Sequence, residues 1–182
     1  MSNALAATAV ALLFGIAPES IRRAAGAFTG VEHRLERVAE VDGVRFVNDS
    51  QGTQPDAVIA ALRAFEPPIV LIAGGRDKGI DLADLAEVVG ERVAASVLIG
   101  ESGPALERLF RAAGLATTER AATLGDAVEA ADALAREASR PSGATATVLL
   151  SPAAASFDMF ADYEARGRAF KAAVARLARK HG

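Results

Sequence analysis

Ile69-Val70-Leu71-Ile72-Ala73-Gly74-Gly75 is an unbroken apolar run closed by two glycines. Aliphatic residues without polar alternation fit a strand covered on both faces, the condition of a strand in a parallel sheet. The segments on either side agree. Downstream, Asp81 can cap a helix that carries Leu82, Leu85, Val88 and Val89 on one face. Ser96–Ile99 repeats the strand pattern and stops at Gly100, and Leu106, Leu109 and Phe110 line the helix that follows, ending at Gly114. A weak strand is expected near Thr117–Glu119, a helix over Leu124–Ala138, a turn at Pro141-Ser142-Gly143, and a last strand at Thr147–Leu150. The spacing then predicts a long closing helix from Phe157 to Arg179. Upstream, Asp42-Gly43 between apolar segments signals a hairpin. Strands alternating with helices specify the α/β class, a mostly parallel sheet with helices on both faces.

Two helical segments precede this pattern. Ala4–Phe14 is alanine-rich and stopped by Gly15, and Pro18-Glu19-Ser20 opens a second helix, so a helical hairpin of roughly thirty residues is expected. Ala4 to Ile16 has Thr8 as its one polar side chain; it is too short to cross a bilayer, lacks a basic leader, and reads as a buried helix.

Composition narrows the chemistry. The chain has 182 residues, enough for one domain with a short appendage, and is 51% hydrophobic. Its 20 Lys+Arg against 23 Asp+Glu give a net charge of −3, without the basic bias of a nucleic-acid binder. Zero cysteines remove disulfides, thiolate metal sites and thiol catalysis, and fit a cytoplasmic location. Two histidines, His33 and His181, make an all-histidine metal site untenable, and His33 alone reads as a packing residue.

Ligands of open α/β sheets gather at the carboxyl ends of the strands. Three such ends are polar here. Asn48-Asp49-Ser50-Gln51-Gly52-Thr53-Gln54-Pro55 leads to a helix beginning at Pro55, which would set Thr53 and Gln54 at its N-terminus. Gly74-Gly75-Arg76-Asp77-Lys78-Gly79 offers glycines that admit a ligand close to backbone, with Arg76 and Lys78 adding positive charge. Ser151-Pro152-Ala153-Ala154-Ala155-Ser156 runs into the last helix, with Ser156 placed to cap it or to present its hydroxyl to an anion. Each loop taken singly also reads as an ordinary turn. The dinucleotide fingerprint, the nucleotide phosphate loop and the Gly-x-Ser-x-Gly elbow are all absent. From residues alone this is an anion-binding α/β domain without a complete catalytic apparatus.

The same loops carry a resemblance. His33-Arg34-Leu35-Glu36, Asn48-Asp49-Ser50 with Thr53, Gly74 to Gly79, and Ser151 to Phe160 with Arg166-Gly167 resemble the Mur ligases in order and separation, and the last run resembles the D-glutamate-adding branch. That family has an N-terminal domain for the UDP-sugar, a central ATPase domain with the phosphate loop, and a Rossmann-like C-terminal domain. The resemblance implies that residues 1–32 are the helical end of the central domain and 33–182 the C-terminal one, with the phosphate loop upstream. It implies an ATP- and Mg2+-dependent ligase, inactive as this piece alone, in which an acyl-phosphate of UDP-N-acetylmuramoyl-L-alanine is attacked by the amine of D-glutamate. Both ATP and Mg2+ would be held mainly by the central domain. Carried over by motif, Asn3, Arg34 and Asp49 would face the nucleotide. Thr53, Lys78 and Ser156 would grip the carboxylates of D-glutamate, with Phe157 in the same run and Tyr163 packing beside that amino acid. No catalytic residue, metal ligand, nucleic acid or membrane is implied. Gln51 stands where many members carry lysine and Gln54 where they carry asparagine, which implies weaker or rerouted nucleotide contact. A related amino-acid-adding ligase and a stand-alone amino-acid or nucleotide binding module are the alternatives.

Overall fold

A computed structural model describes residues 2–141 and 143–181. It divides into two compact units, Met1–Gly30 and Val31–Gly182.

In the first unit, α1 (Ser2–Leu13) and α2 (Pro18–Ala27) are joined through Gly15, whose φ of 74 reverses the chain where a side chain would be strained. Pro18 opens α2, where a missing N–H costs no helical bond. The expectation that Ala4 to Ile16 is buried is corrected. None of the described residues of these helices is buried, and Leu13 and Phe14 are more than four-fifths exposed. A two-helix hairpin supplies no third layer to cover its apolar side.

The second unit is a six-stranded sheet in the order β1-β2-β6-β3-β4-β5. The strands are β1 (Glu36–Val41), β2 (Val44–Asn48), β3 (Ile69–Gly74), β4 (Val93–Ile99), β5 (Thr118–Arg120) and β6 (Ala146–Leu150). β1 and β2 form the hairpin at Asp42-Gly43, and every other pairing is parallel. After β2 the chain crosses to β3, steps outward to β4 and β5, then returns to insert β6 between β2 and β3. The connecting helices are α3 (Pro55–Arg63), α4 (Ala83–Arg92), α5 (Gly103–Ala112), α6 (Leu124–Ser139) and, after β6, α7 (Tyr163–His181).

The period of two along β3 sorts the core. Ile69, Leu71 and Ala73 face α3, α4 and α5 with Val58, Leu62, Leu85, Val89 and Phe110. Val70 and Ile72 face α6 and α7 with Val128, Ala131, Phe170 and Val174. All six residues of β3 are buried, as its unbroken apolar run requires. The two layers leave the strand carboxyl ends open along one edge, where β2 and β3 lead into α3 and α4 on one face while β6, between them, leads into α7 on the other.

One element differs from expectation at that edge. The closing helix begins at Tyr163 instead of Phe157, so Ser156 does not cap it. Asp162 does: its Oδ1 accepts the Ala165 N–H at 2.6 Å. The residues before it are held otherwise. Ala153 has φ 56, and the Ser156 carbonyl accepts the N–H groups of both Met159 and Phe160. Asp158 points away, accepting the Glu101 N–H at 2.9 Å.

Candidate functional site

The loops at the strand ends converge on one side chain. Asp162 starts α7, and Arg166, one turn in, reaches back over the sheet edge with 1% of its surface exposed. Its Nε donates to Ser50 Oγ (3.0 Å), its Nη2 to the Ser50 carbonyl (2.9 Å) and its Nη1 to the Ala154 carbonyl (3.2 Å). Ser50 Oγ in turn donates to the Tyr163 carbonyl at 2.7 Å. The loop after β2, the loop after β6 and the start of α7 thus meet at one guanidinium. Burial lowers its pKa from the ordinary arginine value to about 10, only partly offset by the charge of Asp158, so it stays charged at neutral pH.

The β3 loop joins the same assembly through backbone. Gly74 N donates to the Pro152 carbonyl and Arg76 N to the Ala155 carbonyl, each at 2.8 Å. Between them Gly75 has φ 142, and a Cβ there would collide with the Ala155 carbonyl and lie 3.3 Å from Arg166 Nη1. The glycine pair expected to admit a ligand instead admits neighbouring protein backbone. Ser102, at the start of α5, closes the ring: its N–H donates to the Gly75 carbonyl and its Oγ accepts the Gly75 N–H.

Thr53 and Lys78 are brought together, the Lys78 ammonium donating to the Thr53 carbonyl at 2.6 Å. That contact leaves the Thr53 hydroxyl uncommitted. Lys78 has a lowered pKa, first through partial burial and then through the positive charge of Arg166. Ser156, 3% exposed, follows Ala155, which is bridged to Arg76 on the Lys78 loop. A shallow cavity beside Lys78 is lined by Asp77, Ile80, Ser102, Leu106 and Ala154. Phe157 is 66% exposed, and Tyr163 sets its ring edge against His33, with centroids 6.3 Å apart.

The residues expected to face a nucleotide are differently disposed. Asp49 is buried, with Oδ1 accepting the Leu35 N–H (3.2 Å) and Oδ2 accepting Ser151 Oγ–H (2.7 Å). Burial raises its pKa, against those two bonds and the charge of Arg34. Arg34 is exposed. Asn3 is exposed on α1, in the other unit. Gln54 precedes α3 without a side-chain cap bond, and Gln51 is exposed.

His33 is 4% exposed, and its ring lies where a side chain on Gly167 of α7 would fall. Asn48 Oδ1 accepts the Ser50 N–H, so its Nδ2 faces Glu36 (3.0 Å) and His33 Nδ1 (2.9 Å). His33 Nδ1 is therefore the acceptor in that contact. Glu32, His33 and Glu36 form a group with metal-ligand reach, but Lys171 already donates to Glu32 (2.9 Å) and Glu36 (2.7 Å). An ammonium in the middle of the oxygen set does not fit a divalent cation.

The polar loops at the carboxyl ends of the mostly parallel sheet thus meet at one edge, around the Arg166 guanidinium and the Lys78–Thr53 contact. The chain belongs to the Mur ligase family: residues 33–154 match the model described as "Mur ligase, glutamate ligase domain". Among curated proteins it is similar to the UDP-N-acetylmuramoylalanine--D-glutamate ligase of Symbiobacterium thermophilum, 47% identical over 176 residues, covering 96% of this chain and 37% of that protein. It is also similar to the protein of that name from Roseiflexus sp. (strain RS-1), 48% identical over 175 residues, 96% of this chain and 36% of that one. The chain thus spans little more than a third of the length of these relatives. Among solved structures, Mycobacterium tuberculosis folylpolyglutamate synthase complexed with ADP and AMPPCP superposes with a TM-score of 0.67 over 93% of this chain and 38% of that chain, at 17% identity, a likeness of fold.

Proposed function

We propose that residues 31–182 are the D-glutamate-binding domain of a UDP-N-acetylmuramoyl-L-alanine:D-glutamate ligase that acts in peptidoglycan precursor synthesis in the cytoplasm. Names shared by relatives 47% and 48% identical over nearly the whole chain support this, and the observation that carries it is the juxtaposition of Lys78 and Thr53. D-glutamate brings two carboxylates. The exposed ammonium of Lys78, a free hydroxyl at Thr53 and the polar loop around Ser156 are suitable partners, and each charge-assisted bond contributes about 1.5–3 kcal/mol once a bound ligand excludes water. Held by its acid groups, the substrate would present its amine in a fixed direction, so this domain contributes orientation to the amide-forming step.

ATP, bound mainly by a preceding ATPase domain, would activate the accepting carboxyl. Of the residues that the resemblance assigns to the nucleotide, Arg34 has an exposed guanidinium and Asn3, in the first unit, an exposed amide, while Asp49, its oxygens already engaged by Leu35 and Ser151, would act by holding the Arg34 loop in place. The Glu32–His33–Glu36 group is not suited to Mg2+, since Lys171 donates to both of its carboxylates. In this reading Tyr163 acts from the His33 side of the site and Phe157 from its exposed loop.

In the full-length protein carrying this chain, Lys78→Ala is expected to raise KM for D-glutamate by about a hundredfold while KM for ATP stays within about twofold. Equal increases in both would remove the assignment.

A further inference from the structure

Among the described residues Arg166 is the one cation buried to this depth. Its partners are two carbonyl oxygens and one hydroxyl, and no carboxylate touches it. Such partners satisfy the N–H groups but leave the net charge unbalanced, and an unbalanced buried charge is costly. A neutral side chain would fill the same space without that cost. The charge is also placed to be felt: Gly75, on the Lys78 loop, lies against Nη1, and Asp158 is the one acid whose charge bears on the guanidinium, from an exposed position where water screens it. The same guanidinium grips Ser50, three residues before Thr53, and Ala154, two residues before Ser156.

We propose that Arg166 is the positioning residue of the acid-binding site: it locks the Ser50 and Ala154 backbones that carry Thr53 and Ser156, and its unanswered charge, added to that of Lys78, makes the site select a ligand with two carboxylates over one with a single carboxylate. This rests on the D-glutamate reading above. Arg166 touches no ligand in this account; it acts through the loops it holds and through its field.

The test uses the full-length protein, with kcat/KM measured for D-glutamate and for D-glutamine, the same skeleton with one carboxylate. Arg166→Gln is expected to raise KM for D-glutamate about tenfold or more, leave KM for ATP within about twofold, and cut the D-glutamate to D-glutamine preference at least tenfold. Arg166→Lys, which keeps the charge but not the fork, is expected to retain most of that preference while recovering only part of KM. Asp158→Asn, exposed and still able to accept the Glu101 N–H, is expected to raise the preference about two- to fivefold, and it decides the matter if variants at 166 do not fold. Equal preference in the wild type, the Gln variant and the Lys variant, or no change in the Asn variant, overturns the proposal. If Lys78→Ala leaves KM for D-glutamate unchanged, the D-glutamate reading itself fails; if Lys78→Ala raises it and the preference does not respond to charge at 166 or 158, this inference alone fails.

Discussion

Two arginines at opposite ends of the sheet show how this domain treats charge. Arg136, near the end of α6, donates to Asp132 Oδ2 at 2.8 Å and to Asp42 Oδ2 at 3.4 Å, beside the β1–β2 turn. The bond to Asp132 above all, then the charges of Asp132 and Asp42, raise its pKa against the effect of burial. His181 adds a contact to Asp42 at 3.2 Å, so the end of α7 joins the same knot. Arg166, at the start of α7, has carbonyls where Arg136 has carboxylates, and burial lowers its pKa to about 10. A base whose folded pKa falls below its unfolded value costs stability at every pH below that folded value, so the domain carries the cost of Arg166 in full at neutral pH. At one end charge ties the scaffold together; at the other it is kept unpaired beside the loops proposed to hold a ligand.

The contrast is most exposed to refutation at Gly75. Gly75→Ala would drive a Cβ into the Ala155 carbonyl at a φ of 142, with two backbones that cannot both yield. A loss of about 3 kcal/mol or more is expected in urea unfolding, and a wild-type midpoint would show that the strand-end loops are not packed as described. Asp132→Ala probes the other end. It leaves Arg136 with only Asp42, and a loss of about 2 kcal/mol is expected with KM for D-glutamate unchanged within about twofold. A rise in KM like that from Lys78→Ala would mean that the two ends are not independent. The smallest effect is expected from pH. Burial holds the Asp49 carboxyl above the ordinary value of 3.8, so its contribution is greatest below that value and is lost as pH rises through the folded pKa. Asp49→Asn can keep a carbonyl oxygen toward Leu35, and unfolding midpoints of the two proteins are expected to converge or cross as pH rises from 3 to 7, in favour of the variant. A wild type that gains on the variant over that interval would contradict the burial cost.

Much of the architecture follows from local pattern. The Asp42-Gly43 turn, the buried run at Ile69, the start of α3 at Pro55 and the stop of α5 at Gly114 all stand where short-range chemistry sets them. The start of α7 does not. Ser156 and Asp158 have the form of a helix opening, yet Asp162 holds the cap, because Asp158 is drawn to the Glu101 amide, which is remote in sequence. Gly74-Gly75 shows a need for close approach without showing what approaches. Arg166 looks in sequence like any polar residue on an amphipathic helix; apart from the Arg166-Gly167 pair in the family resemblance, nothing local marks it, and Gly167 is explained only by the His33 ring lying against it.

Periodicity, turn residues and composition by themselves determined the α/β class, nearly every element and the three polar strand ends, because those properties depend on neighbours within a few residues. The insertion of β6 between β2 and β3, the meeting of Thr53 with Lys78, and the burial of a guanidinium without a carboxylate were decided by tertiary structure. They depend on which distant backbones come within hydrogen-bond reach and on how far water is excluded there, and neither quantity is carried by any local stretch of chain.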